Sequence, residues 1–458
     1  MLPMRPFLRN QDSPFWNRYY ETMPRAQLDA LHLHRVKAVL EHAYAHSPFY
    51  RRKLDQAGVR LNDIASLEDF KRKVPLLDKD EFILLQEERP HYGDTLAVPQ
   101  EFIAHHCETS GTTGLPLRIP YTGYDTERYG EAWAYGFWAL GIRPRDTFYF
   151  AFNWGPFAGF WSAYWGVRRF GGTVYSGGGQ SSEGHIRMIQ RLKPTVLICT
   201  PTYALRLAEV ARGLGVDPAG LSVRYTYHAG EPGPCAIPAM RRQIERDWRA
   251  VSGEMLGAAE LHAFAPACPL GEGVHVEESG CFTGSRDPAT GREVPEGSIG
   301  ENIVTTYVNN AQPLINYRTH DLVERHNQCP CGRTGAFFKG VVLGRTDFMV
   351  TIRGTNVYQA AVENVIGHMA GLSSHYELVL TRVSGMDRMC VRAESEVQAP
   401  PERCAELARL TGQRIQESLK VRLEVEVVPP GTLPRYELKT RRIVDQRPPE
   451  VRRVLDRE

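Results

Sequence analysis

Lys193-Pro194-Thr195-Val196-Leu197-Ile198-Cys199-Thr200-Pro201 is the stretch that decides the fold class. An apolar, β-branched run lies between two prolines, and Pro201 opens a helical pattern that ends near Gly213. Proline suits a first helical position, where the missing N–H would have had no intrahelical acceptor. The stretch therefore reads as a buried strand leading directly into a helix. The same texture recurs along the chain. Residues 147–152 read as a buried strand, 222–228 as another that ends at Ala229-Gly230-Glu231-Pro232-Gly233, and 301–307 as one more. Strands alternating with helices predict an α/β sheet.

Before this region, Leu28, Leu31, Val36, Val39, Leu40 and Ala43 recur at helical spacing over 26–45, and the pattern stops at Ser47-Pro48. After Arg345 the texture changes to a helix-like stretch from Gln359, two β-rich runs at 376–383 and 421–428, and a basic tail. That is a small α+β unit of about a hundred residues, an ordinary domain size. The reading gives two domains, 1–345 and 346–458, with a hinge in Gly344-Arg345-Thr346-Asp347. No internal repeat occurs, and Gly171-Gly172 and Gly177-Gly178-Gly179 read as loops at strand ends.

Composition describes an ordinary soluble globular protein. With 42% hydrophobic residues, 24% charged residues and a formal charge of +2, no basic face calls for nucleic acid. The N-terminal Met-Leu-Pro-Met-Arg-Pro is too broken for the apolar core of a signal peptide, so a cytoplasmic protein is expected. Nine cysteines, an odd number, fit reduced thiols or metal ligation better than a disulfide framework. Residues 148–167 carry no charge, but Asn153, Gly155, Pro156, Gly159 and Ser162 interrupt them, and no membrane span is expected.

Thr109-Ser110-Gly111-Thr112-Thr113-Gly114-Leu115-Pro116 combines small hydroxyl side chains with glycines. Such a loop can wrap a polyphosphate, because its glycines let backbone N–H groups approach while hydroxyls add donors and a route to Mg²⁺. It lacks the Gly-Lys-[Ser/Thr] ending of a Walker A loop. A second constellation is metal-like. Cys268-x₆-His275 and Cys329-Pro330-Cys331 supply three thiolates and one imidazole, the donor set of a closed, structural Zn²⁺ site, with Cys281 as an alternative ligand.

Taken in order, several segments resemble the phenylacetate-coenzyme A ligase branch of the adenylate-forming enzymes. They are Glu21-Thr22-Met23-Pro24, Ser47-Pro48-Phe49-Tyr50-Arg51, the 110–116 loop, Gly230-Glu231-Pro232, Tyr317-Arg318-Thr319-His320-Asp321-Leu322, Cys331-Gly332-Arg333-Thr334, Gly344-Arg345-Thr346-Asp347, Arg353-Gly354-Thr355-Asn356-Val357 and Pro434-Arg435 with Lys439. The resemblance implies a large N-terminal domain of sheets flanked by helices and a small C-terminal lid. It also implies two steps, in which a carboxylate attacks the α-phosphate of ATP and a thiol, coenzyme A first among candidates, then displaces AMP. A carrier-protein thiol or an amine is the alternative acceptor, and a nucleotide-binding protein without catalysis is a third reading.

The resemblance carries roles onto residues. Ser110, Gly111, Thr113 and Gly114 would hold the phosphates, and Thr112 or Thr113 would lie near Mg²⁺ with Glu260. Gly230, Glu231 and Pro232 would line the adenine, Asp321 would bind the ribose hydroxyls, and Arg345 would lie near ribose and phosphate. Lys439 would bridge carboxylate and α-phosphate from the lid, and Asp347 would be the hinge. An aromatic carboxylic acid is the expected substrate, its pocket drawn from Tyr135, Asn153, Trp154, Phe157 and His228. A homodimer is left open. Three positions depart from the family pattern: Leu115 replaces a loop lysine, Leu256 an adenine-facing tyrosine, and Tyr358-Gln359 a Phe-Pro pair.

Overall fold

The computed structural model describes residues 10–109, 115–346, 349–352, 355–383, 386–419, 421–434 and 442–447. Its central feature is a six-stranded sheet in the order Thr173–Ser176, Thr147–Phe150, Val196–Cys199, Tyr225–Ala229, Val251–Ala258 and His262–Pro266. The first five strands run parallel and the last antiparallel. Val196–Cys199 is buried at every position, as a strand covered by helices on both faces must be. Helix Pro201–Gly213 follows at once, with Pro201 in its first turn and the Thr200 hydroxyl accepting from the Tyr203 amide.

The uncharged 148–167 stretch resolves into the end of a strand and most of helix Ala158–Phe170, which stops at Gly171 with φ of +90°. Among the described residues no helix is long and apolar enough to cross a membrane. A second sheet of five strands contains Cys281–Arg286, Ile299–Thr306, Tyr317–His326, Phe337–Arg345 and Gly273–His275 in that order. Helix Arg25–His46 packs near it, burying Leu28, His32, Val36, Leu40 and Ala43.

The C-terminal part is built on Glu424–Val428, Met386–Ser395, Leu372–Val383 and Ile443–Asp445, with helices Gln359–Gly367 and Pro401–Leu419 and an apolar core of its own. Strand Met386–Ser395, antiparallel to Leu372–Val383, and helix Pro401–Leu419 add elements to the sequence reading.

Candidate active site and metal centre

In a parallel sheet the connections leaving the carboxyl ends of the strands form the natural crevice for a ligand. Two candidate segments arise there. The chain leaves Tyr225–Ala229 through Gly230, whose φ of +95° suits glycine and few other residues. Glu231 then accepts a 2.8 Å hydrogen bond from the Thr202 hydroxyl. Behind this turn the fully buried Glu254 carboxylate accepts from the amides of Cys235 at 2.5 Å and Ala236 at 3.4 Å. Glu254 thus pins the segment following Pro232 to the sheet.

Glu260 follows strand Val251–Ala258 and is 9% exposed. Tyr317 donates to its Oε1 at 2.6 Å, and its backbone oxygen accepts from Asn309 Nδ2 at 3.0 Å. Burial works to protonate this carboxyl, but Lys79, Tyr317 and Arg345 outweigh it and hold the group below the ordinary carboxylate value. Lys79 begins helix Lys79–Glu88, which Asp78 caps in a reciprocal capping box with Glu81. Its proximity to Glu260 comes from the tertiary fold and leaves no mark in the local sequence.

Asp321 and Arg345 face each other in the sheet register, with Arg345 Nη1 donating to Asp321 Oδ1 at 2.8 Å. Between Arg318 and Asp321, His320 adopts φ of +61°. Its ring reaches Thr346 Oγ1 at 2.9 Å and Asp78 Oδ2 at 3.1 Å. His320 therefore ties the end of the second sheet to the N-terminus of the Lys79 helix. The fold brings Glu260, Asp321 and Arg345 together around Tyr317, Lys79 and His320.

Residues 110–114, Asp347 and Lys439 lie outside the described residues. The chain on either side of residues 110–114 is joined by Thr109, whose amide donates to the Leu117 carbonyl at 3.0 Å and whose hydroxyl accepts from the Leu117 amide at 3.0 Å. Leu115 is 54% exposed. Arg118, the nearest downstream cation, donates to Glu87 at 2.8 Å and to the Gln86 carbonyl at 3.0 Å, so it is engaged by the adjoining helix.

The expected acyl-pocket residues divide. Trp154 packs against Phe150, Trp161 and Tyr164, and Phe152 stacks on Phe160. Asn153 accepts from the Gly179 amide at 2.9 Å, and Phe157 is 46% exposed nearby in sequence. His228 does not share the aromatic face. Strand alternation puts Tyr227 against Trp133 and Phe137, whereas fully buried His228 donates through Nδ1 to the Cys199 carbonyl at 3.1 Å. Tyr135 belongs to the apolar cluster against which Trp154 packs. It also lines a cavity with Glu21, Pro266, His275, Glu277 and Arg333.

The cysteine-histidine reading converges. Ligand atoms of Cys268, His275, Cys329 and Cys331 all lie within 4.8 Å of one another. The Cys268 and Cys329 sulfurs are 3.7 Å apart, and Cys331 Sγ is 3.1 Å from His275 Nε2. A tetrahedral zinc with sulfur bonds near 2.3 Å separates its sulfurs by about 3.8 Å, so residue types and spacing fit that ion. Cys281 is apart, its thiol directed to the Glu277 carbonyl at 3.8 Å. The Cys331 turn also fastens the N-terminal segment. Arg333 Nε donates to Glu21 Oε2 at 2.7 Å, and the Thr334 amide donates to the Glu21 carbonyl at 3.0 Å.

Comparison with known proteins accords with this architecture. Residues 354–447 match the family described as AMP-binding enzyme C-terminal domain. The phenylacetate-coenzyme A ligase of Thermus thermophilus is 35% identical over 448 residues, covering 93% of this chain and 98% of that protein. The crystal structure of 2-hydroxyisobutyryl-CoA ligase in its postadenylation state with 2-HIB-AMP superposes with a TM-score of 0.86 at 31% identity, covering 97% and 94% of the two chains. The same ligase in its thioesterification state with 2-HIB-AMP and CoA gives 0.72 at 32% identity, covering 96% and 94%. The arrangement of this chain is thus closer to the first state. Sequence, sheet order and relatives agree that the chain belongs to the phenylacetate-coenzyme A ligase branch of the adenylate-forming, AMP-producing ligases.

Proposed function

We propose that the protein activates an aromatic carboxylic acid with ATP and passes the acyl group to coenzyme A. The observation that carries this reading is the convergence of an ionised, buried Glu260 with Lys79 and the Asp321-Arg345 pair. A carboxylate facing a polyphosphate needs cations nearby and a metal to neutralise charge. Glu260 with Thr112 or Thr113 would hold Mg²⁺, whose preference is for hard oxygen ligands. Asp321 would accept from the ribose hydroxyls, Gly230-Glu231-Pro232 would line the base, and Arg345 would remain close to the phosphates.

The C-terminal region acts in this reading as a lid hinged at Asp347 that delivers Lys439 for adenylation. Preorganised charge around the developing phosphorane and the departing pyrophosphate would supply the main acceleration. The Trp154, Trp161 and Tyr164 rings, with Phe157, favour a flat acid. The four-ligand metal centre would hold Zn²⁺ and staple loops, since four protein ligands leave no open position for chemistry.

A panel of aromatic and short aliphatic acids, assayed for carboxylate-dependent pyrophosphate release, tests the reading. Mass identification of the product with coenzyme A, a carrier protein or amines then decides the acceptor. Release with aromatic acids and a coenzyme A thioester product are expected; no release from any acid would reject the activity.

A further inference from the structure

Helix Gln359–Gly367 of the C-terminal part rests on the segment that leaves the Gly230 turn. Gly367 is buried there, and a Cβ added to it would come within 2.8 Å of Ile237 Cγ2. Ile237 caps helix Pro238–Trp248 immediately after the Cys235 and Ala236 amides that Glu254 holds. The same helix carries Glu363, 8% exposed, which pairs with Arg442 at 3.4 Å.

Arg442 lies three positions after Lys439 and is fixed on several sides. Its Nη1 donates to the Ser374 carbonyl at 2.7 Å, and its guanidinium lies 4.5 Å from the Tyr376 ring centroid. Its own carbonyl accepts from the Leu378 amide at 2.7 Å and leads into strand Ile443–Asp445. The field of Glu231, from the Gly230 turn, reaches both Arg442 and Glu363. An arginine attracted by carboxylates from two parts of the chain keeps the second attraction only while those parts stay together.

We propose that Gly367 and Arg442 form a grip on the 230–237 segment that selects the arrangement shared with the postadenylation neighbour, making Arg442 a positioning residue for adenylation. This rests on the proposed two-step reaction. Gly367 permits close approach to Ile237, while Arg442 links Glu363 to the field of Glu231 and steadies the strand after Lys439. Thioester formation, which uses another orientation of the lid, does not need the grip. When the lid turns, Arg442 keeps Glu363 and Tyr376 but leaves Glu231 behind.

The two half-reactions separate this role from general folding. In Arg442→Met and Gly367→Val, pyrophosphate release should fall about tenfold or more, the effect of roughly one decade in the lid equilibrium. Thioester formation from supplied acyl-adenylate should stay within about twofold of wild type, and Arg442→Lys should recover part of the first step. Equal loss in both half-reactions, or no loss in either, would overturn the grip. Gly367→Val leaves the buried ion pair intact and decides the matter if Arg442→Met folds poorly. Hydrogen exchange at residues 231–237 reads the contact without turnover and should quicken in both variants. Unchanged exchange would reject the grip, whereas a wild-type protein inert to ATP and every acid would reject only the functional reading.

Discussion

The Tyr317 hydroxyl donates to Glu260 Oε1 at 2.6 Å, joining the first residue of strand Tyr317–His326, which carries Arg318 to Asp321, to the carboxylate that follows strand Val251–Ala258. Removing that donor leaves a buried carboxylate oxygen short of a partner, which costs roughly 1–3 kcal/mol. Tyr317→Phe should therefore lower the melting temperature slightly and shift the Mg²⁺ requirement for pyrophosphate release upward several-fold. A Mg²⁺ titration of variant and wild type checks it. Identical Mg²⁺ curves would separate Glu260 from the metal.

Glu254 gives a pH prediction whose direction follows from burial. Desolvation pushes its carboxyl up to about 7, against the pull of the Cys235, Ala236 and Gly233 amides. In the unfolded chain the group titrates near 4.5, so between about 4.5 and 7 the folded protein keeps a proton that the unfolded chain has released. This group's contribution to stability is full below that window, falls as pH rises through it, and is level above it. The span corresponds to a loss on the order of 3 kcal/mol. Glu254→Gln retains the shape without the titration, so denaturant melts from pH 5 to pH 8 should show a shallower loss than wild type. Parallel pH profiles would refute the assignment.

Much of this molecule is legible in its sequence, and the exceptions share a cause. Helix Pro201–Gly213 follows from Thr200 and Pro201 alone, and helix Arg25–His46 from its apolar spacing. The metal cluster followed from donor chemistry, because few other reasons bring three cysteines and a histidine into that pattern. His228 lies on the opposite strand face from Tyr227, and period-two alternation tells which residues share a face but not which face meets an acyl group. Tyr135 sits on a helix buried nearly all round, so its spacing alone marks no one face as the pocket side. Lys79 escaped notice because only the packing of its helix carries it to Glu260.

Loss of one metal ligand should be felt at the N-terminus. Cys331 shares its turn with Arg333 and Thr334, which hold Glu21. Cys268→Ser leaves that turn chemically intact while removing one of four donors. Elemental analysis of protein purified without added metal should find about one zinc per wild-type chain and far less in the variant. The variant should melt at least about 5 °C lower, and trypsin should cut sooner at Arg18 and Arg25. Full zinc occupancy in Cys268→Ser, or a wild type without metal, would reject the centre.

Leu115 offers a prediction of gained function. The side chain is 54% exposed beside the 110–114 loop, and Arg118 cannot replace a loop lysine while it is paired with Glu87 at 2.8 Å. Leu115→Lys has room for a longer side chain and adds one positive charge where the proposed site receives pyrophosphate. A cation close to a polyanion but open to water contributes modestly, so KM for ATP should fall about three- to tenfold at low ionic strength. That gain should shrink as salt approaches about 0.5 M, because screening weakens exposed pairs. Releasing Arg118 by Glu87→Gln should act in the same direction and more weakly, since the guanidinium must first leave the Gln86 carbonyl. An unchanged or raised KM in Leu115→Lys would mean that Lys79 and the loop amides already neutralise the phosphates, and that the substitution of leucine at this position carries no penalty.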